Sequence, residues 1–236
     1  MSLKERFIFN FIDDNRWKYL WDGLGATLKV TFFALVVGVV IGVILAIIRS
    51  THDKNIKDMK GASKAILKVL DIIARVYLTV IRGTPVVVQL MIMYYVIMVS
   101  STNKILVATI AFGMNSGAYV AEIFRSGIMA IDNGQFEAGR SLGFNFVQTM
   151  QYIIIPQAFK NVLPALANEF IVLLKETSVS GYIAMHDLTK GGDIIRSRTY
   201  DAFMPLIGVA IIYLAMVMFF TYLVSILERR LRNSER

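Results

Sequence analysis

Residues 24–48 carry a single charge, Lys29. As a helix, a run of that kind is long enough to cross the ~30 Å hydrocarbon core of a bilayer, which takes about 20 residues. Further apolar runs follow at 62–99, 105–126, 152–174 and 204–227. In lipid the backbone N–H and C=O groups must be satisfied internally, so these runs predict helices and exclude an open sheet. The expected fold is all-α integral membrane, with five transmembrane helices in a single domain over 1–236. The net charge of +8 is accounted for more simply by basic loops beside spans than by nucleic acid. With no Cys there is no disulfide framework and no thiolate metal site. His52 and His186 fall in loops expected on opposite sides of the membrane, which argues against a zinc pair.

Residues 1–21 mix Phe7, Ile8, Phe11, Ile12, Trp17, Tyr19, Leu20 and Trp21 with charge, a composition that favours the water–lipid boundary. An interfacial helix is expected there, and 1–16 has no cleavable signal pattern. Within 24–48, Gly38 and Gly42 form a small-xxx-small pair suited to close helix packing. Residues 49–68 read as a basic connector holding Arg49, Lys54, Lys57, Lys60, Lys64 and Lys68. The run 62–99 is too long for one straight span. Its first half places Lys64, Lys68, Asp71, Arg75, Thr79 and Arg82 on one helical face. Arg82-Gly83-Thr84-Pro85 then interrupts it, because Pro lacks an N–H and restricts the residue before it. With Thr84 as cap and Pro85 as first residue, a fresh half-helix would run through Val99. Its positive dipole end would suit an anionic group, although a plain kink explains the break equally well.

In 105–126, Asn115, Tyr119, Glu122 and Ser126 share a face. At ~1.5 Å per residue from Ile105, Asn115 and Ser116 fall near mid-bilayer. Glu122 lies nearer the inner end, one turn from Arg125. Ionisable residues in a span face protein or a water-filled path, so Glu122 either lines a path or pairs with Arg125. The fourth run contains Asn168 and Glu169, and 181–203 reads as a polar outer segment. With the N-terminus outside and the C-terminus cytoplasmic, the inner regions carry thirteen Lys and Arg against nine outside, as the positive-inside rule requires. No GxxxxGK[ST] phosphate loop occurs, no Ser stands in a nucleophile setting, and no internal repeat is evident.

The segment 136–156 opens with Glu137-Ala138-Gly139, reaches Gly143 four residues later and closes with Ile153-Ile154-Ile155-Pro156. Asn133 is read as a helix cap, with Phe136, Ala138 and Leu142 following at helical spacing. Gly139 and Gly143, four apart, would share one face as a shallow strip open to another surface. Any one of these residues fits a tight turn between spans. The whole layout resembles the EAA loop of the membrane subunits of ATP-binding-cassette importers: Glu-Ala-Ala, three residues, Gly, nine residues, Ile-any-Leu-Pro. Gly139 and Ile155 are the departures.

Other stretches look like the polar amino-acid permeases within that family: Arg82-Gly83-Thr84-Pro85 with Gln89-Leu90, Ala118 to Glu122 with Arg125 to Ile128, Pro156 to Phe159, Leu163-Pro164 with Asn168-Glu169, and Leu174 to Ser178. The resemblance covers roughly 20–230. It implies a type I importer-like permease domain with a cytoplasmic coupling segment at 133–150, in which Glu137, Ala138, Gly139, Leu142, Gly143 and Pro156 engage the ATPase. It also implies a non-catalytic chain in a bacterial inner membrane, with no cofactor of its own. ATP and Mg would be bound by a cytoplasmic ATPase dimer. The remaining partners would be a second copy or a sister permease and an extracytoplasmic amino-acid-binding protein.

An amino acid in a bilayer needs donors for its carboxylate, acceptors for its ammonium and a wall for its side chain. Thr84 at the half-helix start, Asn115, Ser116, Tyr119 and Glu122, with Leu90 and Met93 as apolar wall, are the candidate substrate residues. If Glu122 faces that pocket, arginine, lysine or histidine is the expected cargo. Glutamine or another polar amino acid is the alternative. An ion-gradient-driven secondary transporter, with Glu122 and Glu169 as proton or sodium ligands, is the rival from another class.

Overall fold

The computed structural model describes residues 2–57 and 59–233, and these are helical with no strand among them. Ten α-helices occur in the described residues: α1 (Leu3–Phe7), α2 (Trp17–Asn55), α3 (Gly61–Gly83), α4 (Val86–Ile92), α5 (Lys104–Met129), α6 (Asn133–Ser141), α7 (Phe146–Thr149), α8 (Ile155–Glu176), α9 (Leu188–Thr199) and α10 (Phe203–Asn233). Three are long and apolar enough to cross a membrane: α2, α5 and α10 over Phe203–Leu231. The pair Gly61–Gly83 and Val86–Ile97 is a fourth if it counts as one span. The fourth expected run is helical as α8, and its 22 residues reach about 33 Å. Lys160, Asn161, Asn168 and Glu169 keep it more polar than the other three.

The chain sorts into two compact units. The first holds the residues through Val37, Thr84–Gly113 and Phe170–Leu223. The second holds Gly38–Gly83, Met114–Glu169 and the residues from Val224.

In the first unit the N-terminal segment is not one helix. α1, started by a Ser2–Glu5 capping box, gives way to a π-helical turn at Ile8–Ile12 and a 3-10 turn at Asp13–Asn15. Asp14 and Asn15 are left-handed, with φ of 53° and 54°, a conformation Asp and Asn tolerate better than most L-residues. Trp17 to Trp21 therefore open α2 instead of closing an interfacial helix. Arg6 grips Asp201 through Nε and Nη2 at 3.0 and 2.7 Å. Asn10 donates to the same carboxylate at 2.9 Å and accepts from Thr199 at 2.8 Å. Phe11, Leu20, Leu188, Ile195 and Val209 form the core beneath.

The segment 181–203, expected to be a polar outer stretch, is largely helical. A 3-10 helix at Thr177–Ile183 precedes α9. Asp187 caps α9, accepting from the backbone N–H of Lys190 at 3.0 Å and of Thr189 at 3.3 Å.

Asp187 is fully buried. Burial pushes its carboxyl up to about 6, against the capping hydrogen bonds, which favour the charge. An unfolded Asp titrates near 3.9. The folded chain thus binds the extra proton between about 4 and 6, and Asp187 makes stability fall as pH rises through that window. Asp201 has the opposite sign. Its hydrogen bond from Arg6 holds it at about 2, so its contribution is present above about 4 and lost as pH falls toward 2. Asp187→Asn keeps a capping side chain and removes the first effect alone. The inactivation temperature of the detergent-solubilised protein, followed from about pH 4 to 7, should rise in the variant at the upper end and lose its downward slope; an unchanged slope refutes the assignment.

In the second unit, Gly38 and Gly42 bring α2 onto α5 as their spacing predicts. A Cβ at Gly38 would lie 3.0 Å from the Ser116 side chain, and one at Gly42 2.5 Å from Val120 Cγ1. The Tyr77 hydroxyl on α3 donates to the Met114 carbonyl on α5. Leu78, Ala118 and Ala121 are buried in the same contact. The expected connector at 49–68 is shorter than its composition implies, because α2 continues to Asn55 and α3 begins at Gly61.

Candidate functional site

The segment between α5 and α8 is built as a seated surface helix. Asp132, not Asn133, caps α6 by accepting from the Gly134 N–H at 2.6 Å. Asn133 is instead the first helical residue, and its Oδ1 accepts from Lys54 Nζ at 2.8 Å. The same ammonium stands 4.4 Å from the centroid of the Phe136 ring. Lys54, at the end of α2, thus holds the start of α6.

The two glycines do not form one open strip. Gly139 is buried, and a Cβ there would meet Thr149 Cγ2 at 2.7 Å, Thr149 Oγ1 at 2.8 Å and Ile153 Cδ1 at 3.1 Å. It is the seat of α6 on the turn that follows. Gly143 has φ of +82° with open space around it, and the Phe144 N–H closes the helix end onto the Gly139 carbonyl at 3.0 Å. Its role is the left-handed residue that stops the helix. α7 follows with an Asn145–Gln148 capping box. Next come a π-helical turn at Met150–Ile154 and then α8, whose second residue, Pro156, is exposed. Ile128, Ile154 and Ala158 bury the base of the segment. Glu137, Ala138 and Leu142 stay exposed, Leu142 at 73%. Beside them is a cavity of about 540 Å³, whose walls include Lys54, Glu137, Arg140 and Phe146.

The second constellation joins α2, α3 and α5. Glu122 Oε1 accepts from Arg49 Nη1 at 2.9 Å. Arg125 Nε is 3.8 Å from Oε2, and Arg82 Nη1 is 3.9 Å from Oε1. Behind them Asp71, its side chain 4% exposed, accepts from Arg75 Nε at 2.6 Å and lies 3.9 Å from Arg49 Nε. Glu122 is therefore surrounded by guanidiniums, and its nearest is Arg49, not Arg125. Tyr119 and Glu122 line one cleft, of about 590 Å³, with Arg49, Arg75, Thr79 and Arg82.

Ser116 belongs elsewhere. Its hydroxyl donates to Glu169 Oε1 on α8 at 2.7 Å, with both residues buried. Asn115 beside it is 3% exposed. Of the remaining candidates, Leu90 and Met93 are buried in the first unit, at 0% and 7% exposure. Neither offers the free apolar wall expected of it. Thr84 is exposed, and its hydroxyl and carbonyl accept from Gln89 Nε2 at 2.8 and 3.0 Å. The half-helix after it is capped by Pro85 and starts at Val86, one residue later than expected; α4 ends at Ile92 and a π-helical turn carries it to Ile97.

Residues 61–233 match the family described as binding-protein-dependent transport system inner membrane component. The chain belongs to this family. This permease is 37% identical over 217 residues to the putative glutamine transport system permease of Rickettsia bellii, covering 90% of the chain and 93% of that protein. It is 34% identical over 221 residues to the arginine transport system permease of Bacillus subtilis, covering 92% and 94%. Among solved structures, it superposes with a TM-score of 0.79 at 43% identity on the crystal structure of an amino acid ABC transporter with histidines, covering 90% of this permease and 94% of that chain. A methionine ABC transporter in an inward-facing form gives a TM-score of 0.74 at 18% identity, covering 98% and 99%, and supports the fold alone. The chain is therefore an all-α, type I importer-like permease subunit of the polar amino-acid class.

Arg49, Lys54 and Asp71 carry these sites and were not singled out by sequence as site residues. Arg49 and Lys54 read there as two more positive charges in a connector. Only the continuation of α2 to Asn55 carries them to Glu122 and Phe136.

Proposed function

We propose that this permease carries a polar α-amino acid inward as the five-span transmembrane subunit of an ATP-driven importer, with N-terminus outside, C-terminus cytoplasmic and residues 1–236 acting as one permease domain. ATP and Mg bind a separate cytoplasmic ATPase dimer. The permease pairs with a second copy or a sister chain and receives cargo from an extracytoplasmic binding protein. The observation that carries this reading is the seating of α6. One face is fixed on Thr149 and Lys54 while Glu137, Ala138 and Leu142 are left for a partner.

For cargo, the reading rests on Ser116, Asn115 and Glu169. Glu169 is a buried carboxylate with no cation within 4.0 Å among the described residues. It is suited to the α-ammonium that every amino acid carries, beside the hydroxyl and amide of Ser116 and Asn115. Glu122, which gives one oxygen to Arg49 and lies in a separate cleft, no longer argues for a basic side chain. Glutamine is as well supported as arginine or histidine, in keeping with relatives named for glutamine and for arginine transport.

The test is uptake of labelled L-glutamine, L-arginine and L-histidine into proteoliposomes holding the permease with its ATPase and binding protein, with trapped ATP and no ion gradient. Uptake of one of them is expected, and Glu169→Gln should lower it by about tenfold or more, the scale of one charge-assisted contact, at equal protein level. Uptake driven only by an imposed gradient would establish the secondary-transporter reading, in which Glu169 is the natural ion ligand.

A further inference from the structure

The cleft above Asp71 lies apart from Glu169. Glu122 follows Ser116 by six residues on α5, about 9 Å along the helix axis and nearer the end that leads to α6. Its lining holds three guanidiniums, Arg49, Arg75 and Arg82, against one carboxylate, Glu122. Asp71 behind them offsets one of the two surplus positive charges through Arg75. One positive charge remains uncompensated. Arg82 carries it most openly: its side chain is 47% exposed, it approaches Glu122 only to 3.9 Å, and it stands 5.7 Å from the centre of the Tyr119 ring. Donors of its planar fork are therefore left for a carboxylate.

The cleft also offers the opposite charge. Glu122 gives Oε1 to Arg49, while Oε2 has only Arg125 at 3.8 Å, beyond hydrogen-bond length. An ammonium has an acceptor there. The surplus guanidinium and the half-used carboxylate match the two ends of a zwitterion, and Leu78, Thr79 and the Tyr119 ring form a wall for a side chain. The volume of about 590 Å³ is in the range of small-molecule sites. A phosphate fits less well, because its second negative charge would face Glu122.

We infer that the cleft lined by Arg75, Arg82, Tyr119 and Glu122 is a second subsite for a free α-amino acid, separate from the Ser116–Glu169 site and on the way to the α6 end of the permease. This rests on the importer reading for the nature of the ligand. The carboxylate meets Arg82 and Arg75, and the ammonium meets Glu122.

Site-specific protection tests it. The permease in complex with its ATPase, without nucleotide, is treated with the arginine reagent phenylglyoxal, and adducts on Arg75 and Arg82 are quantified by peptide mass spectrometry. At about ten times its Kd, a bound amino acid slows modification of Arg82 about tenfold. At least one of L-glutamine, L-arginine and L-histidine is expected to protect, while its amino alcohol, which lacks the carboxylate, does not. Glu122→Gln should abolish the protection and Glu169→Gln should leave it. The inference is overturned if none of the three protects, if inorganic phosphate or the amino alcohol protects equally, or if Glu169→Gln abolishes protection. ATP-driven uptake without protection removes the subsite and keeps the importer. Absence of ATP-driven uptake removes the importer reading itself.

Discussion

Arg49→Met should cost about 1–3 kcal/mol, the scale of losing a hydrogen bond to a charged group, and should be among the poorly tolerated changes in the second unit. The Arg49 side chain is only 13% exposed and is shared between Glu122, at 2.9 Å, and Asp71, at 3.9 Å. Methionine fills much of the volume and leaves both carboxylates to the remaining guanidiniums. Asp71, 4% exposed, keeps Arg75 at 2.6 Å. Glu122 keeps only contacts of 3.8 and 3.9 Å. The expected result is a lower inactivation temperature and faster proteolysis of the solubilised protein. Glu122→Gln in the Arg49→Met background should recover part of the loss, because it removes the carboxylate left behind. A double-mutant cycle measures that coupling. If Arg49→Met is as stable as the parent protein, the cluster is a screened surface arrangement and not the joint of α2, α3 and α5.

Gly139→Val is expected to abolish transport while leaving the spans inserted. The new Cβ would stand 2.7 and 2.8 Å from the two outer atoms of Thr149 and 3.1 Å from Ile153 Cδ1, and a β-branched side chain has few rotamers with which to retreat. Overpacking of this kind costs about 1–3 kcal/mol locally. The larger consequence is positional. α6 must lift from its seat, and Glu137, Ala138 and Leu142 move with it. ATP-driven uptake should fall by about a hundredfold or more, the scale of a misplaced functional element, with ATPase co-purification reduced. Gly139→Ala should be milder and should be restored by Thr149→Ala, which removes both clashing atoms. Normal uptake by Gly139→Val would show that α6 does not work through this seat.

These two residues illustrate what could be read in advance. The spacing from Glu137 to Pro156 marked the segment between α5 and α8 as a motif, and the helical period located α6 within it. The pattern did not tell which way each glycine faces. Gly139 and Gly143 are four apart, yet the helix ends between them, so one is a packing contact and the other a left-handed stop. The N-terminal segment was legible as helical and interfacial; its breaks at Asp13–Asn15 and the meeting of Arg6 and Asn10 with Asp201, 195 and 191 residues away, were not.

By itself, the sequence determined that this chain is a helical membrane protein and set the Glu137–Pro156 segment between two apolar runs, because apolar run length, proline breaks and motif spacing are local properties. It also carried the Gly38–Gly42 packing stripe, since helical periodicity alone puts two residues four apart on one face. Only the tertiary structure decided which charges meet. Glu122 lies beside Arg125 in the chain yet takes Arg49, Ser116 finds Glu169, and Lys54 reaches Phe136. Each depends on how one helix packs against another, and no one-dimensional pattern contains that distance.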